Sequence, residues 1–333
     1  MLVPHFLTHL ARPLRLIDRR IPLVERWIKT PLNDEDERNI RIACAESGKK
    51  RLGAFYHWYL QKKFVAEAVR GADRERFLRL MQSADHTDYK QIQGVLNSKS
   101  GLLIAIPHHA HYIMSMAMLT EVIREHRQVY LFYGRPETHP GNEIFDELNE
   151  WFWGNGSNVA FVHDTRKGLA TAMRELKAGA VVFIMPDVFK DANLTISIPF
   201  CGRALSVMLG TSIIARKTGA TVLPMISTPY GSGLGFKSEF GESFAAHHPV
   251  YGEDQSGLIE AFDYSVIRKI FAFYEPIMSR QMLYWQNVRQ HVAKGHPFSR
   301  LSPSVALQAS ELLLSDPDMQ PPAQIVDLRN DAN

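Results

Sequence analysis

Five short apolar runs, each followed at a distance by a helix-length segment, constrain this chain more than any other feature. They are 102–106 (LLIAI), 129–133 (VYLFY), 159–162 (VAFV), 181–185 (VVFIM) and 221–228 (TVLPMIST). Each is strand-sized and β-branched or aromatic, and has no alternating polar face, so it reads as a strand buried on both sides. The intervening stretches 111–124, 142–152, 165–178 and 209–218 carry apolar residues at helical spacing, and Gly179 and Gly219 mark where two of them stop. Strands that alternate with helices of this length imply βαβ units. The expected fold is therefore α/β: a mostly parallel central sheet flanked by helices on both faces, with a helical N-terminal region. Residues 231–235 (GSGLG) followed by 236–240 (FKSEF) add a late antiparallel hairpin, and 197–200 is a candidate edge strand.

The rest of the chain divides around this core. Residues 1–98 read as a helical N-terminal region packed on the core, 99–300 as the α/β core, and 301–333 as a polar, Pro-containing tail that is partly disordered. Residues 1–30 interleave apolar residues with five arginines and one lysine. Such a segment reads as a short helix with a solvated basic face, or as one that lies on an anionic membrane surface. Residues 34–98 and 256–294 read as helical. No run approaches the roughly 18 apolar residues that span a bilayer, and the basic start lacks the apolar stretch and cleavage site of a signal peptide. A cytoplasmic protein is expected, soluble or peripheral to a membrane.

Composition excludes several classes. Two cysteines in 333 residues rule out a disulfide scaffold or a Cys-rich zinc site. Lys plus Arg is 38 against 35 for Asp plus Glu, so a net charge of +3 gives no footprint for nucleic acid.

The chemistry-bearing residues gather at the carboxyl ends of the apolar runs, where open α/β sheets bind ligands. After 102–106 comes Pro107-His108-His109-Ala110-His111. Three histidines within four residues on a strand-to-helix loop are unusual, and a histidine there suits a general base. Metal binding by His109 and His111 is the competing reading. No carboxylate lies nearby in sequence and no HExxH spacing exists, so no metal is expected. After 129–133 comes Tyr133-Gly134-Arg135-Pro136, where Arg135 reads equally as a phosphate or carboxylate clamp and as a surface residue of a turn. After 181–185 comes Met185-Pro186-Asp187, and Asp187 would orient a histidine, hold a polar substrate group, or cap a turn. The glycines at 231–235 do not open a helix and are no dinucleotide loop, and Gly210-Thr211-Ser212 lacks the nucleophile-elbow pattern.

Taken in order, these segments resemble the bacterial lipid A biosynthesis acyltransferases, the lauroyl/myristoyl transferases of the wider glycerolipid acyltransferase group. Residues 101–108 (GLLIAIPH) are similar to that family's strand and catalytic histidine, and Tyr133-Gly134-Arg135-Pro136 to its Tyr-Arg-Pro block. Residues 176–182 followed by Pro186-Asp187 resemble its Lys-x-Gly strand and Pro-Asp loop, and 198–204 (IPFCGRA) its Val-Pro-Phe-Phe-Gly-x-x-Ala block. Residues 210–224 match the helix and strand that follow, and the resemblance covers roughly 100–245.

The resemblance implies acyl transfer from a thioester of acyl carrier protein or coenzyme A, without a cofactor. It implies a base at His108, or at His111 if the loop is re-aimed, with His109 in support. Arg135 would hold a phosphate, and Arg203 would line the substrate site. The family's dyad joins the histidine to an acidic residue in an HxxxxD/E motif. Here the acidic position after His108 is Ile113, and the registers of His109 and His111 lead to Met114 and Met116. Asp187 would then supply the orienting carboxylate from a different loop. Two further departures are a start without the family's membrane-spanning helix and the absence of a second arginine at 153–158. The implied acceptor is an amine or a hydroxyl. The alternatives are another reaction of a carrier-bound thioester (cyclisation, condensation or hydrolysis) and a non-catalytic lipid-binding relative.

Overall fold

The computed structural model describes residues 65–288, apart from 67–68, 140–141, 155, 189–194, 202, 231–234 and 247–255. The expectations for 1–64 and for the tail from 301 lie outside the described residues, as does the tip of the late hairpin at 231–234.

The five apolar runs form five parallel strands: β1 (Leu102–Ala105), β2 (Val129–Tyr133), β3 (Val159–His163), β4 (Val181–Ile184) and β7 (Thr221–Tyr230). Together with β8 (Gly235–Phe240) and β9 (Phe244–Ala245), both antiparallel to β7, they build one mixed sheet of order β3-β2-β4-β1-β7-β8. The fold class is thus α/β, as the alternation of apolar runs and helices requires. The candidate edge strand is β5 (Thr195–Phe200), but it does not join the main sheet. It pairs with β6 (Arg203–Met208) as a separate antiparallel hairpin.

The central strands β1 and β4 are buried along their whole length. Their side chains alternate between two cores, as the two-residue period of a strand demands. Leu103, Ala105, Val182 and Ile184 face one core, with α5 (Arg166–Lys177), α6 (Gly210–Thr218) and α7 (Ser256–Met278). Leu102, Ile104, Val181 and Phe183 face the other, with α1 (Arg74–Ala84), α3 (Tyr112–Ile123) and α4 (Glu143–Glu147). The short α2 (Gln93–Leu96) lies between α1 and β1 in the chain. Asp73 caps α1 by accepting from Arg76 N (3.0 Å), and Thr165 caps α5 by accepting from Gly168 N (3.1 Å). At the entry to β1, a Cβ on Gly101 would sit 2.1 Å from Leu176 O, so only glycine lets the strand pass the end of α5.

Two helical expectations are corrected. The pattern over 142–152 begins as α4 but continues from Leu148 to Trp153 as a π-helix. Over 256–294, the helix ends at Met278, two residues past Pro276, and residues 289–294 lie outside the described residues. The chain then turns through a 3-10 helix at Met282–Tyr284 and runs back over the end of β1. Among the described residues, no helix is long and apolar enough to cross a membrane.

Candidate functional site

The site grows out of the pairing of β1 with β4. Their register sets Ala105 opposite Ile184, and Ile106 N continues the ladder to Ile184 O (3.0 Å). Each strand then leaves the sheet through a residue and a proline, as Ile106-Pro107-His108 and Met185-Pro186-Asp187. Proline fixes its own φ and keeps the preceding residue extended. Equal offsets from paired strands therefore bring position 108 opposite position 187.

The outcome is a close pair. His108 Nδ1 lies 2.7 Å from Asp187 Oδ1, and His108 N donates to Asp187 Oδ2 (3.0 Å). The Asp187 side chain is 0% exposed, and that of His108 is 16% exposed. Trp285 Nε1 also donates to Asp187 Oδ2 (2.8 Å), and Asn287 Nδ2 donates to Asp187 O (3.1 Å). A buried carboxylate is tolerable only where donors converge on it, and here they do. With the Nδ1 proton committed to Asp187, Nε2 carries the lone pair of the neutral ring. Asn287 Nδ2 also lies 3.1 Å from His108 Nδ1. Since both atoms bear hydrogen in that tautomer, this is packing rather than a second hydrogen bond. Tyr112 covers the imidazole edge-on, with ring centroids 5.0 Å apart.

The three histidines of the loop point to three different environments. His109 is fully buried, with Nδ1 2.8 Å from Ser227 O and Nε2 3.2 Å from Gln281 O. Ser227 Oγ in turn accepts from Ser115 Oγ of α3 (2.7 Å). Burial pushes the His109 pKa below its ordinary value. The neutral ring carries one N–H, which the shorter contact assigns to Ser227 O, so it braces the loop on β7 and only packs against Gln281 O. Ala110 follows with φ 47°, a left-handed conformation that non-glycine residues rarely adopt, and its N–H is held by Tyr284 O (2.9 Å). His111 is buried at the N-terminus of α3, its ring 6.3 Å from that of Phe236. Among the described residues, no group of three or more side chains converges as a metal site.

The brace has a pH consequence. An unfolded histidine titrates near 6.5, while neutral His109 resists protonation in the fold. Below about 6.5 the unfolded chain gains a proton that the folded chain does not. This contribution to stability is therefore complete above that pH and is lost on acidification, at up to about 1.4 kcal/mol per pH unit. Denaturant midpoints between pH 7.5 and 5.5 should fall accordingly, and less steeply in His109→Gln. An identical slope in that variant would place the titrating group elsewhere.

The other sequence candidates are more scattered. Arg135 is exposed in the turn after β2, with its carbonyl accepting from Thr138 N (3.1 Å) and His139 N (2.8 Å). It shares the carboxyl edge of the sheet with His108, but β4 separates its strand from β1. Arg203 opens β6 opposite Phe200, and its side chain lies outside the described residues. Ile113, Met114 and Met116, where the HxxxxD/E registers fall, all lie on α3, with both methionines fully or almost fully buried in the core. Sequence reasoning missed Tyr112, Trp285 and Asn287. For the last two, the available signal was Pro276, two residues before the helix end.

The protein is thus a mostly parallel α/β sheet with a histidine and a buried carboxylate paired at the ends of adjacent strands. The chain belongs to the bacterial lipid A biosynthesis acyltransferase family, whose sequence profile matches residues 45–245, more than half its length. No curated protein matches it. Family membership supports acyl transfer as the general activity.

Proposed function

We propose that the chain transfers an acyl group from a thioester of acyl carrier protein or coenzyme A to an amine or hydroxyl acceptor. The observation that carries this reading is the His108–Asp187 pair, 2.7 Å apart at the carboxyl edge of the sheet. It provides a base and an orienting carboxylate although the HxxxxD/E motif is absent.

Asp187 holds the Nδ1 tautomer, and His108 Nε2 accepts the proton of the acceptor's O–H or N–H. The freed oxygen or nitrogen lone pair attacks the thioester carbonyl. The tetrahedral adduct then collapses, the C–S bond breaks, and the imidazolium returns the proton to the departing thiolate. Arg135 is the candidate contact for donor or acceptor phosphate and Arg203 a candidate substrate contact, with His109 and His111 as supports of the loop. The proposed setting is the cytoplasmic side of the inner membrane, with peripheral contact through basic residues before 65. The proposed units remain the N-terminal region to 98, the core to 300 and the tail beyond.

Thiol release tests the proposal. Lauroyl- and myristoyl-coenzyme A and the matching acyl carrier thioesters are offered with and without ethanolamine, which presents both an amine and a hydroxyl. Release that depends on acceptor, with acylated ethanolamine as product, is the expected result. Acceptor-independent release would replace transfer by hydrolysis. Absence of release with every donor would favour a lipid-binding relative.

A further inference from the structure

The family profile ends at residue 245, yet much of what holds the His108–Asp187 pair comes from beyond it. Tyr274 of α7 is fully buried, and its hydroxyl donates to Ala105 O at the end of β1 (2.6 Å). Past Met278 the chain forms a short antiparallel bridge with the histidine loop, His109 opposite Trp285. Gln286 N donates to His108 O and Ala110 N to Tyr284 O, both at 2.9 Å. The bridge sets the Trp285 indole beside Asp187, and Phe200 of β5 packs on that ring at 5.8 Å between centroids.

We propose that residues 274–287 form a clamp on the site, with Trp285 and Asn287 as positioning residues for the His108–Asp187 pair. The proposal rests on the reading of His108 as the base. The physical reason lies in how the two carboxylate oxygens are used. Asp187 Oδ1 faces the imidazole, while Oδ2 takes N–H groups from His108 and Trp285. Donors on Oδ2 prevent the carboxylate from rotating away from the ring. They also draw charge from it, which moderates its hold on the Nδ1 proton. Asn287 ties the Asp187 backbone to the same segment. Titratable groups within the field of Asp187 include His109 from the same loop, Tyr112 from α3 and Tyr274 from α7. Burial keeps all three neutral.

The test uses the full chain with Trp285→Phe, which keeps an aromatic ring and deletes the indole N–H, and Asn287→Ala as a second variant. Nitrogen-15 histidine NMR follows the His108 ring through pH, and thiol release from lauroyl-coenzyme A with ethanolamine follows turnover. Loss of a hydrogen bond to a charged group should lower kcat about 10- to 100-fold, with KM for the thioester unchanged. With less charge drawn from Asp187, the His108 titration should move up by about 0.5 to 1 pH unit. A role confined to stability would shift the unfolding midpoint and leave the His108 titration in place, which would overturn the clamp. Unchanged titration and turnover in both variants, in a protein that needs His108, would overturn the clamp alone. Full turnover in His108→Ala would overturn both readings.

Discussion

His108→Ala is expected to lower acyl-transfer turnover by about 10² to 10⁴, the usual worth of a positioned general base. The fold should survive. The ring lies at the mouth of the site with its side chain 16% exposed, and it belongs to neither hydrophobic core. Asp187 would keep the backbone N–H of position 108 and the Trp285 indole as donors, and water can reach the space that the ring leaves. Turnover from thiol release, set beside circular dichroism and the unfolding midpoint, separates the two effects. Full turnover with an intact fold would remove His108 from the mechanism.

Asp187→Asn should cost nearly as much turnover and more stability. An amide can present an oxygen to the ring or to the two N–H donors on the other side, but not to both. If the oxygen stays on the imidazole, the N–H₂ opposes the N–H donors of His108 and Trp285. If the amide turns its N–H₂ to the imidazole, Nδ1 must accept, and the proton moves to Nε2, where it blocks base catalysis. The loss of charge-assisted hydrogen bonds at a fully buried residue should also lower stability by about 1 to 3 kcal/mol. His108→Ala combined with Asp187→Asn should be no slower than the worse single variant, because the pair acts as one unit. Multiplying losses in the double variant would show two separate roles. Full turnover in Asp187→Asn would end the case for an orienting carboxylate.

Much of the fold is legible in the sequence because its signals are local. A buried strand such as VYLFY at 129–133 announces itself by five contiguous residues, and its observed limits are the same. Thr165 and Gly179 bracket α5 by capping chemistry that needs no partner from elsewhere. The hairpin β5–β6 was only half visible, since β6 contains Arg203 and Ser206 and has no continuous apolar run. The site follows the same division. Position at the ends of neighbouring apolar runs singles out His108 and Asp187 as residues, but the 79-residue separation between them hides their contact. Trp285 stands 98 residues from Asp187, within a stretch whose helical periodicity masks the turn after Met278. His109 and His111 look equivalent to His108 in a linear reading. Only the packing of Ser227, Gln281 and Phe236 around them tells the three apart.

The matched exits Ile106-Pro107-His108 and Met185-Pro186-Asp187 make the His108–Asp187 contact independent of any one helix. A base and a carboxylate on a single helical turn are placed together, and a change within that turn disturbs both. Here each partner is carried by its own strand, and the only shared quantity is a count of three residues past the last paired position. The contact therefore needs no carboxylate from α3, where Ile113, Met114 and Met116 serve apolar packing. An insertion or deletion in either three-residue exit would leave the strands paired and the cores filled while sliding one partner past the other. The lengths of these two loops, rather than the letters of one motif, set the contact.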